Sequence, residues 1–155
     1  MVYESKDAGI KSKLYRDKPL ISVTLSEFEK PGPDYLTNLR RFCIAIGVIN
    51  SGESRIAIVH IVDLLLKARK TSPAGLDSYA ITEGLYKTGV KIVYANILRD
   101  LRKLITVGLV EKIDGKYRIR ENMSISEILA SFIKPYIIDK ILNRLQEYAV
   151  AIDKE

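Results

Sequence analysis

The sequence has no tryptophan, one cysteine, one histidine and one glutamine among its 155 residues. A single Cys43 excludes an intramolecular disulfide and any zinc site built from several cysteines of one chain, and leaves that residue an apolar, buried role. A single His60 leaves neither a Cys-His pair nor a Ser-His-Asp set to build on. There is also no glycine-rich phosphate loop and no metal-ligand spacing, so an enzyme is the poorest of the available classes, and no cofactor or metal is expected. No apolar run approaches the ~20 residues a membrane helix needs, so no membrane partner is expected. The first twenty residues carry charges throughout and lack an apolar stretch followed by a small-residue cleavage site, which points to a cytoplasmic protein.

Isoleucine and the basic residues are abundant. The chain holds 21 Ile and 25 Lys plus Arg against 19 acids, a net charge of +6. With so little Gln and Cys, this is the balance toward which hyperthermophilic proteins tend, and a thermophilic archaeal source is expected. The length fits one domain with extensions, able to bury roughly 70% of its unfolded surface.

Residues 1–33 read as an N-terminal arm, partly flexible, ending in the breaker Pro31-Gly32-Pro33. Within it, Ile21, Val23 and Leu25 alternate with Ser22 and Thr24, the period of a half-buried strand; the arm either pairs with a sheet edge or is a flexible tail. Asp34 precedes a first helix with the stripe Tyr35, Leu36, Leu39, Phe42, Cys43 and Ile46. A second helix follows Ser51, a suitable N-cap, with Glu53 at the positive end of its dipole, and runs to about Lys70. Apolar residues surround most of it, so it should be the centre of the core. Its one polar stripe joins His60, Asp63 and Lys67, which places the histidine on a wet face beside an acid.

The loop Thr71 to Asp77 leads to a short third helix, capped by Asp77 or Ser78 and closed by Gly89. A fourth helix is expected from near Lys91 to just before Gly108. Two short helices about a glycine-containing turn, after a long buried helix, is the order of a helix-turn-helix unit. On the fourth helix, Val93, Ile97, Leu101 and Leu104 share one side, whereas Ala95, Arg99, Arg102, Lys103 and Thr106 share the other, flanked by Lys91 and Asn96. A helix anchored on one face and free to present Arg and Asn on the other suits a major groove, where Arg reads guanine and Asn reads adenine.

A two-residue Asp114-Gly115 turn then pairs Ile113 with Lys116, Lys112 with Tyr117, Glu111 with Arg118 and Val110 with Ile119. Val110, Tyr117 and Ile119 fall on the packing face, and Glu111 meets Arg118 on the other. Lys112, Lys116, Arg118 and Arg120 give the hairpin its positive charge. Residues 91–120 hold eight basic and three acidic residues, a net +5 of the chain's +6. Clustered cations of this kind supply nonspecific affinity for duplex DNA through counterion release.

These residues resemble the winged-helix transcriptional regulators. In many of that family the recognition helix ends in Leu, two variable residues, Leu, three variable residues and Gly-Leu-Val, followed by a hairpin wing. Leu101, Leu104, Gly108, Leu109 and Val110 match without a gap, and Asp114-Gly115 sits where the wing tip would be. The resemblance covers about Glu53 to Arg120. PadR-like proteins are similar in layout, with Tyr79-Ala80-Ile81 in the third helix and a C-terminal dimer helix, although the tyrosine they carry before the recognition-helix leucines is Leu98 here. The resemblance implies a mainly α fold with a small β-hairpin wing, a winged helix-turn-helix with added N-terminal and C-terminal helices, and residues 34–120 as its domain.

Residues 121–155 read as a C-terminal helical dimerisation segment. Ser124 and Glu127 form a capping box, followed by Ile125, Ile128, Leu129 and Phe132. Pro135 either kinks this helix or opens a new one, after which Ile138, Ile141, Leu145, Tyr148 and Ile152 repeat at helical spacing. The stripe either folds back onto its own core or pairs with a second copy, and the homodimer is preferred. The expected function is sequence-specific binding of double-stranded DNA by a dimeric transcriptional regulator through Lys91, Asn96, Arg99, Arg102, Lys103 and the four hairpin cations. An architectural, replication or partition role would use the same residues. A winged-helix subunit of a larger complex would instead show exposed apolar residues on the presented helix. A small-molecule effector is neither implied nor excluded.

Overall fold

The structure, a computed structural model, describes residues 17–49 and 57–155. Among these, four helices precede a hairpin: α1 (Tyr35–Ala45), α2 (Ala57–Thr71), α3 (Ser78–Lys87) and α4 (Tyr94–Thr106). The hairpin strands are β1 (Val110–Ile113) and β2 (Lys116–Ile119), and a short turn of 3-10 helix, Arg120–Asn122, leads into the last helix. That helix comprises α5 (Ile125–Ile128), a π-helical stretch over Leu129–Ile138, and α6 (Asp139–Asp153). The fold is mainly helical with one small antiparallel hairpin.

α2 is central because it is apolar on several sides. It packs against α1, α3, α4 and β2, and Ile61, Val62 and Leu65 are fully buried there. Ile81 and Leu85 of α3, Ile97, Leu101 and Leu104 of α4, and Leu109, Val110 and Ile119 of the hairpin close the core around it. Asp63 does not lie on a wet stripe: it is buried, accepts a hydrogen bond from the Tyr35 hydroxyl at 2.8 Å, and pairs with Lys67 at 2.8 Å. Desolvation of the hydroxyl end of Tyr35, and then this hydrogen bond, push that group up to about 12. The helix stripe of α1 is narrower than its spacing predicts, since Leu39 and Cys43 are buried whereas Tyr35 and Leu36 are exposed. The Ser51 cap and Glu53 lie outside the described residues.

The segment Ile21 to Leu25 is not a strand. Extended chain lies instead at the C-terminal end of α1, where Ser26 N–H donates to Ala45 O at 3.0 Å and Val23 packs against the core. Ile21 and Leu25 remain exposed. Gly47 permits this approach: at φ +86° it can turn there, and a Cβ would sit 2.8 Å from Thr24 O.

The hairpin has the register that its Asp-Gly turn dictates, with all four pairs as the alternation predicts. Asp114 and Gly115 both take positive φ, 51° and 77°, as a type I′ turn requires. Leu76 adds a feature that periodicity does not reveal. It bridges Tyr117 by two backbone hydrogen bonds of 2.9 and 2.8 Å, fastening the loop before α3 to β2.

The capping box forms: Glu127 N–H donates to Ser124 Oγ and Ser124 N–H to Glu127 Oε2, both at 3.2 Å. Pro135 does not open a new helix; it stays inside a continuous helical stretch whose geometry changes around it. Having no N–H to give to the carbonyl one turn back, it sits in a stretch that widens to π geometry, with Asp139 N–H reaching Lys134 O five residues earlier. Ile128, Ile133 and Ile137 hold the helix to the core. Past Ile138 the hold weakens: α6 has no fully buried residue, and of the stripe Ile138 packs on the core, Ile141 is half-buried, and Leu145, Tyr148 and Ile152 stay exposed. Among the described residues, no helix is long and apolar enough to cross a membrane.

Candidate nucleic-acid interface

α3 begins at a cap formed by Asp77, whose carboxylate accepts from Ala80 N–H at 2.8 Å. It ends in a tight turn in which Gly89 (φ +84°) allows Val90 N–H to return to Leu85 O at 3.0 Å. α4 does not start near Lys91. The run Val90, Lys91, Ile92, Val93 stays extended, as β-branched residues favour, and Val93 is the N-cap, with no side-chain cap hydrogen bond. Val93 is therefore 67% exposed rather than part of the anchoring face.

From Tyr94 onward the helical spacing holds. Ile97, Leu101 and Leu104 point into the core, joined by Asp100. Ala95, Arg99, Arg102 and Thr106 are exposed on the opposite side, and Asn96 and Lys103 are half-buried at its edge. Arg99 is only at the limit of an ion pair with Asp100, 4.0 Å, and half of its side chain is exposed. Thr106 Oγ1 donates to Arg102 O at 2.9 Å, which occupies its hydroxyl proton within the helix.

Two open recesses, each about 360 Å³, flank this face and share Val48, Arg99 and Lys103. One runs between Ser22–Thr24 and the second half of α4, with Arg102 and Thr106 on its wall. The other is bounded by Lys91, Val93 and Asn96. Ser22–Thr24 thus lie alongside the basic face of α4, a proximity that no sequence pattern announces.

The hairpin divides its cations. Lys112 and Lys116 are exposed near the tip, the Lys112 ammonium 5.3 Å from the Tyr117 ring centroid. Arg118 and Arg120 are drawn into the packing. Arg118 pairs with Glu111 at 2.7 Å and donates to Pro73 O at 3.3 Å. Arg120 donates to Gly108 O at 2.8 Å and lies 3.6 Å from the Phe132 ring centroid. Of the nine expected contact residues, seven are on or beside accessible surface, whereas these two secure the hairpin and the last helix.

Residues that periodicity missed lie at the start of α4. Tyr79, 73% exposed, stacks on Tyr94 with ring centroids 5.3 Å apart and planes 13° from parallel, and the Tyr94 hydroxyl shares a 2.7 Å hydrogen bond with Ser78 Oγ. Exposed Val93 precedes Tyr94 directly in the chain. The available signal was the β-branched run before Tyr94, which sets the helix start.

The remaining candidates are placed simply. His60 is half-buried, and no group of three His, Cys, Asp or Glu among the described residues could hold a metal. Cys43 is fully buried, and burial pushes its thiol up to about 12. In the C-terminal stripe, Leu145, Tyr148 and Ile152 are 58, 60 and 70% exposed, whereas Ile138 packs against the core and Ile141 is intermediate. Comparison with protein-family models, with curated proteins and with solved structures gave no match.

Proposed function

We propose that this protein is a winged-helix protein that binds double-stranded DNA as a homodimer, most simply as a transcriptional regulator. The observation that carries the reading is the free face of α4: Ala95, Arg99 and Arg102 exposed on a helix whose other side is locked by Ile97, Leu101 and Leu104. Ala95 keeps the first turn of that face low, and the arginines follow one and two turns on with donors suited to guanine. Lys91 and Lys103 beside it, and Lys112 and Lys116 on the hairpin, are placed for phosphates. The exposed Leu145, Tyr148 and Ile152 of α6 support the dimer.

The test is binding to duplexes selected from a random library at fixed salt. Arg99→Ala and Arg102→Ala should each weaken binding to the selected duplex by roughly 1 to 3 kcal/mol with the fold intact. Parent-like affinity of both variants would show that this face does not read DNA. Enrichment of one motif would favour a regulator, and binding without enrichment an architectural role.

A second reading has its own support. Exposed Val93, Tyr79 and Tyr86 are the kind of surface by which a winged-helix subunit would dock on protein. It predicts no selective duplex binding and co-purification with a partner.

A further inference from the structure

Val93 and the Tyr79–Tyr94 pair are exposed apolar side chains at the start of α4 that the cationic groove does not explain. Val93 is 67% exposed at the position where the chain enters α4. It shares one recess with Asn96 and Arg99, so an aliphatic group, an amide and a guanidinium line a single space. Beside it, Tyr79 is held against Tyr94, and the Ser78 hydroxyl fixes the Tyr94 ring through its hydroxyl group. The pair is therefore ordered before any ligand arrives, although the Tyr79 ring is 73% exposed.

One groove of a DNA duplex offers these three chemistries together. In the major groove an A·T pair presents adenine N6 and N7, which suit an amide, and next to them the C5-methyl of thymine, which suits an apolar side chain. The N-terminal residues of a recognition helix are the ones that reach base edges. Resting on the DNA-binding reading above, we infer that the start of α4 recognises an A·T pair: Asn96 contacts adenine while Val93, at the helix start that the Tyr79–Tyr94 stack anchors, packs on a thymine methyl. Arg99 and Arg102, farther along the helix, then face G·C pairs. The half-site consequently has a polarity, A·T under the first turn of α4 and G·C under the next two.

The probe is the selected duplex in which each thymine is replaced in turn by deoxyuridine, which keeps base pairing and loses only the methyl group. The parent protein should bind about fourfold more weakly at one or two positions per half-site, the factor expected for one methyl-sized apolar contact. Val93→Ala should bind thymine and deoxyuridine duplexes alike at those positions while keeping the parent's dependence on the G·C pairs. Because Val93 is exposed, its thermal unfolding should match the parent's. Tyr79→Ala gives a second variant with the same expectation. Affinity unchanged by every deoxyuridine, or a thymine preference retained in both variants, would overturn the inference and assign these side chains to a protein partner. A parent protein that binds no duplex selectively would overturn the DNA-binding reading itself, and the two failures are distinct.

Discussion

Gly108 links the hairpin to the C-terminal helix, and Gly108→Ala measures that link. The residue takes φ +90°, where an L side chain is strained by roughly 1 to 2 kcal/mol. A Cβ there would also lie 2.6 and 2.7 Å from two carbons of the Phe132 ring, well inside contact distance. That ring cannot retreat freely, because the Arg120 guanidinium lies 3.6 Å from its centroid. Overpacking of this sort costs roughly 1 to 3 kcal/mol, so the whole substitution should destabilise the protein by about 3 kcal/mol. At a domain of this size that is on the order of 6 to 12 °C in melting temperature. Gly115→Ala is the control: φ is +77°, but nothing lies within 4 Å, so only the backbone cost of about 1 kcal/mol remains. In a Phe132→Ala background the obstacle is gone, and Gly108→Ala should cost about 1 to 2 kcal/mol less than in the parent, as a double-mutant cycle by urea unfolding would show. Equal cost for the two glycines, together with additivity in the cycle, would refute the argument that Phe132 is clamped there.

Three further expectations are independent of that contact. Leu145→Asp with Tyr148→Asp should leave a folded monomer, since both side chains are well exposed in the single chain, whereas the proposed dimer would have to bury two charges without partners; sedimentation velocity decides, and a variant that stays dimeric moves the interface elsewhere. Cys43, fully buried with its thiol pushed up by that burial, should resist iodoacetamide at neutral pH in the folded protein and become labelled only on unfolding; rapid labelling of the folded protein would mean that α1 opens readily. If two copies read an inverted repeat on one face of DNA, inserting about five base pairs between half-sites should abolish selective binding and about ten should restore it, measured by competition at one salt concentration. Indifference to spacing would leave a monomeric or sequence-blind binder.

Patterns confined to a few neighbouring residues were legible from the sequence. The Asp114-Gly115 turn and the alternation about it determine the hairpin register, because a side-chain period of two admits only one packed face. Asp77 caps α3, and Ser124 with Glu127 caps the last helix, since these groups need partners only one turn away. The inward set Ile97, Leu101 and Leu104 follows from helical spacing alone. The outward basic face of α4 was readable for the same reason.

What the tertiary structure decided depends on partners distant in the chain. Asp63 looks like a surface acid until Tyr35, 28 residues earlier, reaches it. Arg118 and Arg120 count as free cations until the strand register brings Glu111 opposite one, and the helix after Ser124 brings Phe132 against the other. Leu76 joins the hairpin only because the loop before α3 passes along β2. The stretch Ile21 to Leu25 reads as a strand by alternation, yet it pairs with no sheet edge among the described residues and Ser22–Thr24 lie instead beside Arg102 and Thr106, where Gly47 lets the two backbones approach. Periodicity assigns each side chain a face of its own element. Which faces meet, and which charges are used up where they do, is set by contacts between elements, and these depend on the packing of the whole chain.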